Sequence, residues 1–305
     1  MRALTAALAA TLVLAACGSD TSTPDTTVPA VTSPDSTIPK STVPEVSLRI
    51  VSLSPTATEM LYAIGAGDQV VAVDSLSTYP AEVADKVTKI SAYEPSAEAI
   101  LGYKPNVVLI SNDMNKITEQ LQSVSSQKIT VWTGAAATTL DDVYKQITEL
   151  GALTGREEAA ATLIESMKTR IAKATEKISA PMAAKSYFYE LDNTLYSVTS
   201  NTFVGALLKP FGLKNIADGV EAGNDYPQLN AEVIAKANPA IIFLADTKCC
   251  ATSAAEVAKR PGWAGINAVK NNRIVELDDD VASRWGPRVV DLVEQFAAAI
   301  AAANK

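Results

Sequence analysis

The chain has 305 residues, 48% of them hydrophobic, and a formal net charge of −8. That length holds one large or two medium domains, and the acidic balance has the wrong sign for a nucleic-acid footprint or a polybasic membrane patch. Histidine is absent, which removes Ser-His-Asp and Cys-His nucleophiles together with His-built zinc and haem sites.

The first twenty residues, MRALTAALAATLVLAACGSD, carry one early positive charge, a short apolar stretch and a run of small residues. The stretch is too short and too weakly flanked for a spanning helix and predicts an export signal over residues 1–16. Its end, LAAC, resembles the bacterial lipobox, which would make Cys17 the mature N-terminus and the site of lipidation; a polar Gly-Ser-Asp follows at once. Residues 17–46 then run through Ser, Thr, Pro, Asp and Val, with TVP, TIP and TVP recurring. Such a segment buries too little apolar surface to offset its ordering entropy. It is expected to be a disordered tether, reaching roughly 90 Å at about 3.1 Å per residue. These features predict an exported protein anchored to the outer face of the cell membrane, touching the bilayer through its N-terminal lipid alone.

The folded body is expected to begin with SLRIVSLSPTATEMLYAIGAG. An apolar strand over Leu48 to Leu53 runs into Ser54 as helix cap, with Pro55 at the first helical position. Met60, Leu61 and Ile64 form the apolar stripe of that helix, and Gly65 ends it. A strand VVAVD, a short helix, a strand NVVLIS, a helix KITEQLQSV and a strand KITVW follow. Near-continuous apolar strands alternating with helices predict a parallel sheet covered on both faces, in a lobe over residues 47–137. Residues 138–180 change character and predict two helices. The second runs from Arg156 to Ser179 without Gly or Pro, with Leu163, Met167 and Ile171 on one face. Alternation resumes over residues 181–305 with SYFYEL, FVGALLKPFG, RIVELD and a closing helix from about Pro287 to Ala303. The expected class is α/β, two similar lobes joined by a long rigid helix. A single α/β barrel would explain the alternation but not the long helix in the middle.

One phrase is written twice: SAEAILGYKPNVVLI (Ser96 to Ile110) and NAEVIAKANPAIIFL (Asn230 to Leu244). Each has a capping residue, Ala-Glu, a proline seven positions after the glutamate and an apolar strand. In either copy alone the glutamate, Glu98 or Glu232, is explained by the helix dipole, worth roughly 0.3–1 kcal/mol. Two copies at matched positions place two acidic points on the same face of two lobes.

The stretches RIVSLSPTATEMLYAIGAGDQVVAVDSLSTYP and LDDDVASRWGPRVVDL, with the paired phrases, resemble the iron-siderophore and vitamin B12 class of substrate-binding proteins of ABC importers. The similarity covers about Leu48 to Lys305. It implies two Rossmann-like lobes bridged by the rigid helix, a ligand held in the cleft between them, and a monomer that docks on a permease dimer. It also implies that Glu98 and Glu232, one per lobe, meet arginine pockets of that permease. Similarity to the B12 binders points at Leu76, Tyr93, and Asp280 to Arg284, including Val281 and Ser283. Leu76 and Val281 stand where those relatives place aromatics.

In open α/β sheets ligands sit beyond the carboxyl ends of the strands, which here selects the loops SLSTYP, SAYEPS, TKCCATS and DDDVASRW. Tyr93, Tyr226 and Trp285 can supply flat walls, or simply pack. Arg284 is either a surface ion pair with Asp279 or Asp280, worth little, or a donor to a ligand's amides, carboxylates or metal-bound oxygens. Three consecutive aspartates lack the alternation of a calcium loop, and no resident metal or cofactor is expected. Cys249 and Cys250 are adjacent, and in an oxidising compartment a vicinal disulfide at the rim of the cleft is expected, a free pair being the alternative. The expected function is capture of a corrinoid such as cobalamin, or of a ferric siderophore, with haem held through a tyrosine ligand third, and no catalysis. The alternatives are an exported α/β enzyme, for which GAGDQV is a poor glycine fingerprint and no Gly-x-Ser-x-Gly elbow occurs, and a surface lipoprotein that binds another protein.

Overall fold

The computed structural model describes residues 47–125, 128–176 and 185–304. The signal, Cys17 and the tether lie outside these residues. The first strand, β1 (Ile50–Leu53), is buried along its whole length, as expected for a strand covered on both faces. It passes into α1 (Pro55–Ala63), where the Ser54 hydroxyl accepts from the Ala57 N–H and Pro55 needs no amide partner. β2 (Val70–Val73), α2 (Ala97–Leu101), β3 (Val107–Ile110), α3 (Ile117–Val124) and β4 (Thr130–Thr133) complete a four-stranded parallel sheet in the order β2-β1-β3-β4.

Two helices follow, α4 (Leu140–Thr154) and α5 (Glu157–Glu176). Thr139 and Asp142 form a reciprocal capping box that starts α4, and Gly155, at φ +67°, ends it. The 20 residues of α5 lie in sequence between the two sheets. β5 (Ser186–Glu190), α6 (Phe203–Leu208), β6 (Lys214–Asn215), α7 (Ala231–Ala237) and β7 (Ile241–Leu244) come next. They are followed by α8 (Ala254–Val257), α9 (Asn267–Lys270), β8 (Ile274–Glu276), α10 (Asp279–Ala282) and α11 (Val289–Ala303). The second sheet is also parallel, in the order β6-β5-β7-β8. The two sheets therefore repeat one topology, each starting in its interior, stepping to one edge and crossing back. FVGALLKPFG is helix α6 with a 3-10 turn over Lys209–Phe211, and the closing helix starts two residues later than its sequence suggests.

Residues 46–305 form one compact unit, and its apolar interior explains why. One continuous core takes side chains from both sheets together with α1, α4, α5 and α11. Phe243 of β7 meets Phe296 of α11 edge-on at 4.8 Å. Each sheet also has a private core on its outer face, around Ile100 and Leu121 in one lobe and around Trp263 and Ile266 in the other. Each fully buried side chain of this size contributes roughly 1.5–3 kcal/mol, so the shared core resists separation of the lobes. No helix among the described residues is long and apolar enough to cross a membrane.

Candidate functional site

A cavity of about 610 Å³ lies where the carboxyl ends of β1 and β3 face α10 and the loop after β7. Its first wall is neutral, with Leu53 at the end of β1, Ile110, Ser111 and Asn112 at the end of β3, and Thr56 from the first turn of α1. Leu76 is placed there by a tight turn in which Asp74 Oδ1 accepts from the Leu76 and Ser77 N–H groups at 3.1 and 2.7 Å. Burial pushes the Asp74 carboxyl above its usual range, more than those hydrogen bonds lower it. Tyr93 stands out at 65% exposure, on a turn whose N–H groups point to Ser91 Oγ.

The opposite wall is Cys249, Asp280, Ser283, Arg284 and Trp285. Asp278 caps α10 by accepting from the Asp280 N–H, while Asp279 reaches away to accept from the N–H groups of Thr247, Lys248 and Cys249. The loop bearing the cysteines is thereby hung on α10. Trp285 Nε1 donates to Gln146 Oε1 of α4 at 3.1 Å.

Beneath this wall lies a charge cluster centred on Glu59, a residue absent from the sequence-based candidates. Glu59 of α1, with a side chain 2% exposed, accepts from Arg284 Nη1 at 3.0 Å and from Arg288 Nε and Nη2 at 2.9 and 2.6 Å. Arg284 Nη2 also donates to Asp280 Oδ1 at 2.7 Å and to the Leu76 carbonyl at 3.2 Å. Hydrogen bonding to Glu59 raises the Arg288 guanidinium further above its ordinary range. A Cβ at Gly286 would sit 3.2 Å from Glu59 Oε2, so glycine lets the 284–288 segment cross the carboxylate closely.

Of the residues the sequence nominates, Leu76, Tyr93, Asp280, Ser283, Arg284 and Trp285 line this cavity. Val281 does not. Asp280 and Arg284, four apart, share the cleft side of one short turn, and Val281 is turned into the common core. Tyr226 also stays off the cavity, 55% exposed on a loop tied by Pro227 and Asp225 carbonyls to the N–H groups of Ser197 and Thr199. Cys249 and Cys250 are unbonded thiols with Sγ atoms 2.6 Å apart, so the vicinal disulfide is not formed in this structure. Partial burial, Cys250 and the Asp279 carboxylate push the Cys249 thiol up to about 12. Asp278 and Asp280 share Lys248 while Asp279 turns to the backbone of the preceding loop, and among the described residues no cluster of three or more Cys, Asp or Glu could hold a metal ion. Ser111 and Asn112 were missed; the strand-end rule applied to NVVLIS itself selects them.

A larger cavity, about 780 Å³, is bounded by Tyr62, Tyr79, α5 and the start of α11. Its cations are already engaged: Arg156 with Asp68, Arg170 with Asp291 and Glu294, Arg288 with Glu59, and Lys86 with the Gly67 carbonyl and the Tyr62 ring. It touches no strand end, and the smaller cavity is the better ligand site.

Residues 50–281 match the family described as periplasmic binding protein. The chain belongs to the periplasmic binding protein family. This binding protein is 35% identical over 257 residues to the uncharacterized ABC transporter substrate-binding lipoprotein YvrC of Bacillus subtilis, covering 83% of this chain and 79% of that one. It is 30% identical over 254 residues to a cobalamin-binding protein of Halobacterium salinarum, covering 82% and 68%. A solved structure, a possible iron-binding (periplasmic solute-binding) protein of Staphylococcus epidermidis, superposes with TM-score 0.70 at 29% identity over 83% of this chain and 98% of that one. The two parallel-sheet lobes are those of this family, and its members bind solutes outside the cytoplasm without transforming them. An exported enzyme and a protein-binding surface lipoprotein find no support.

Proposed function

We propose that this binding protein captures a corrinoid of the vitamin B12 type in the interlobe cleft and delivers it to the permease dimer of an ABC importer. The observation that carries this is the character of the cleft, a cavity of about 610 Å³ with one wall apolar and amide- or hydroxyl-bearing and a cation on the other already matched by carboxylates. A neutral macrocycle fringed with amides suits such a wall, and the cavity falls within the roughly 300–1,000 Å³ of small-molecule sites. The Halobacterium relative named for cobalamin supports the same ligand. A ferric chelate is the second reading, supported by the Staphylococcus neighbour. Titrating intrinsic fluorescence with cyanocobalamin should quench Trp285 and Tyr93 with micromolar or tighter affinity; an unchanged signal overturns the corrinoid assignment.

Glu98 and Glu232, both exposed in the first turns of α2 and α7, would each meet a basic pocket of one permease subunit. Lipid on Cys17 would hold the monomeric body at the outer face of the membrane. Oxidation would join Cys249 and Cys250 at the cleft rim, and reductant should then raise the intact mass by about 2 Da; an unchanged mass leaves them as free thiols.

A further inference from the structure

The cation in the cleft lining is Arg284, and the anion is Asp280. A guanidinium carries five N–H donors, and three are already committed, to Glu59, Asp280 and the Leu76 carbonyl. With its side chain only 12% exposed, Arg284 presents little unmatched charge to a guest. The surroundings continue the balance. Lys248 Nζ is shared by Asp278 and Asp280 at 2.7 and 2.9 Å, and Arg288 is held by Glu59. Three cations thus face four carboxylates, Glu59, Asp278, Asp279 and Asp280, and the Asp74 carboxyl lies buried behind the Leu76 turn.

Resting on the corrinoid assignment above, we propose that Glu59 is a specificity-determining residue that acts from beneath the cleft. It draws the Arg284 guanidinium down and cancels its charge, so the site accepts neutral or cationic chelates and turns away anionic ones. An arginine left uncovered at this place would do the opposite, since a desolvated guanidinium is a strong receptor for catecholate or carboxylate oxygens. Asp280 completes the cancellation from the cleft side. Glu59 never needs to touch the ligand; it chooses the ligand's charge through Arg284.

The test compares two probes, cyanocobalamin, which is neutral, and an Fe(III) tris-catecholate complex of net charge −3, each titrated at low and high salt. Wild type should bind the corrinoid and discriminate against the trianion by about hundredfold or more. Glu59→Gln should raise the relative affinity for the trianion by about tenfold, 1.4 kcal/mol in ΔΔG, and high salt should erode that gain. Glu59→Asp, which keeps the charge, should keep the wild-type preference. If Glu59→Gln does not fold, Asp280→Asn at the half-exposed rim should produce the same shift. An unchanged ratio in the folded variants, or tight trianion binding by wild type, overturns the proposal. Binding of neither probe by wild type overturns instead the corrinoid assignment, and this proposal falls with it.

Discussion

The two lobes use one topology and finish their strands in opposite ways. Register pairs Leu53 with Ile110 at the end of the first sheet, and Glu190 with Leu244 at the same place in the second. Two residues further on stand Asn112 and Asp246. In the first lobe Leu53, Ile110 and Asn112 open into the cavity. In the second the equivalent ends are sealed. Glu190, fully buried, takes two hydrogen bonds from Arg260 at 2.6 and 2.5 Å, and Asp246 lies beside it, held by Thr252 at 2.7 Å. Arg260 in turn stacks on Trp263 at 4.8 Å. The second lobe therefore presents α10 and its neighbouring loop to the cleft instead of its strand ends. A duplicated fold gives symmetric outer features, the two glutamate-bearing helices, while the guest sees one neutral wall and one charged wall.

That contrast can be broken most severely at its junction. Glu59→Ala leaves the largely buried Arg288 guanidinium without its carboxylate and Arg284 with Asp280 alone, and should destabilise the protein by about 3 kcal/mol, read from urea unfolding; a loss below about 1 kcal/mol would mean the lobes are held by the shared apolar core alone. The symmetric side of the comparison is tested by Glu98→Lys and Glu232→Lys. Each should lower uptake about tenfold or more, the worth of an interfacial charge pair of about 1.5 kcal/mol, with corrinoid affinity unchanged. Retained uptake in both would remove the docking role.

The smallest effect concerns the sealed strand ends. Burial pushes the Glu190 and Asp246 carboxyls upward, Arg260 opposing it, and Asp246 adds to the rise at Glu190. Their folded forms hold protons that the unfolded chain has released, so their contribution to stability is full below the unfolded carboxylate range near 4 and is lost as pH rises through the folded values. Asp246→Asn should make that decline shallower as pH rises above about 4. An unaltered slope in the urea midpoint would show that the pair does not titrate together.

The two parallel sheets and the paired glutamates were legible because their causes are local. Ser96 Oγ accepts from the Ala99 N–H at 3.3 Å and Asn230 Oδ1 from the Val233 N–H at 2.9 Å, partners three positions away. The candidate site was legible only in part. A resemblance can name the segment from Asp280 to Arg284, but the direction of each side chain depends on where a single turn of helix meets the core, and that turned Val281 inward. Glu59 could not be singled out, since its partners Arg284 and Arg288 stand 225 and 229 positions away and its own helix reads as an ordinary capped segment.

Residue order alone determined the alternation of strands and helices, their caps and stops, and the repeated unit, because hydrogen bonding and apolar periodicity act over a few residues. Tertiary structure decided which charges meet beneath the cleft and which strand ends stay open. Burial makes an unpaired charge costly, so partners are selected by proximity in the folded chain, whatever their distance along it.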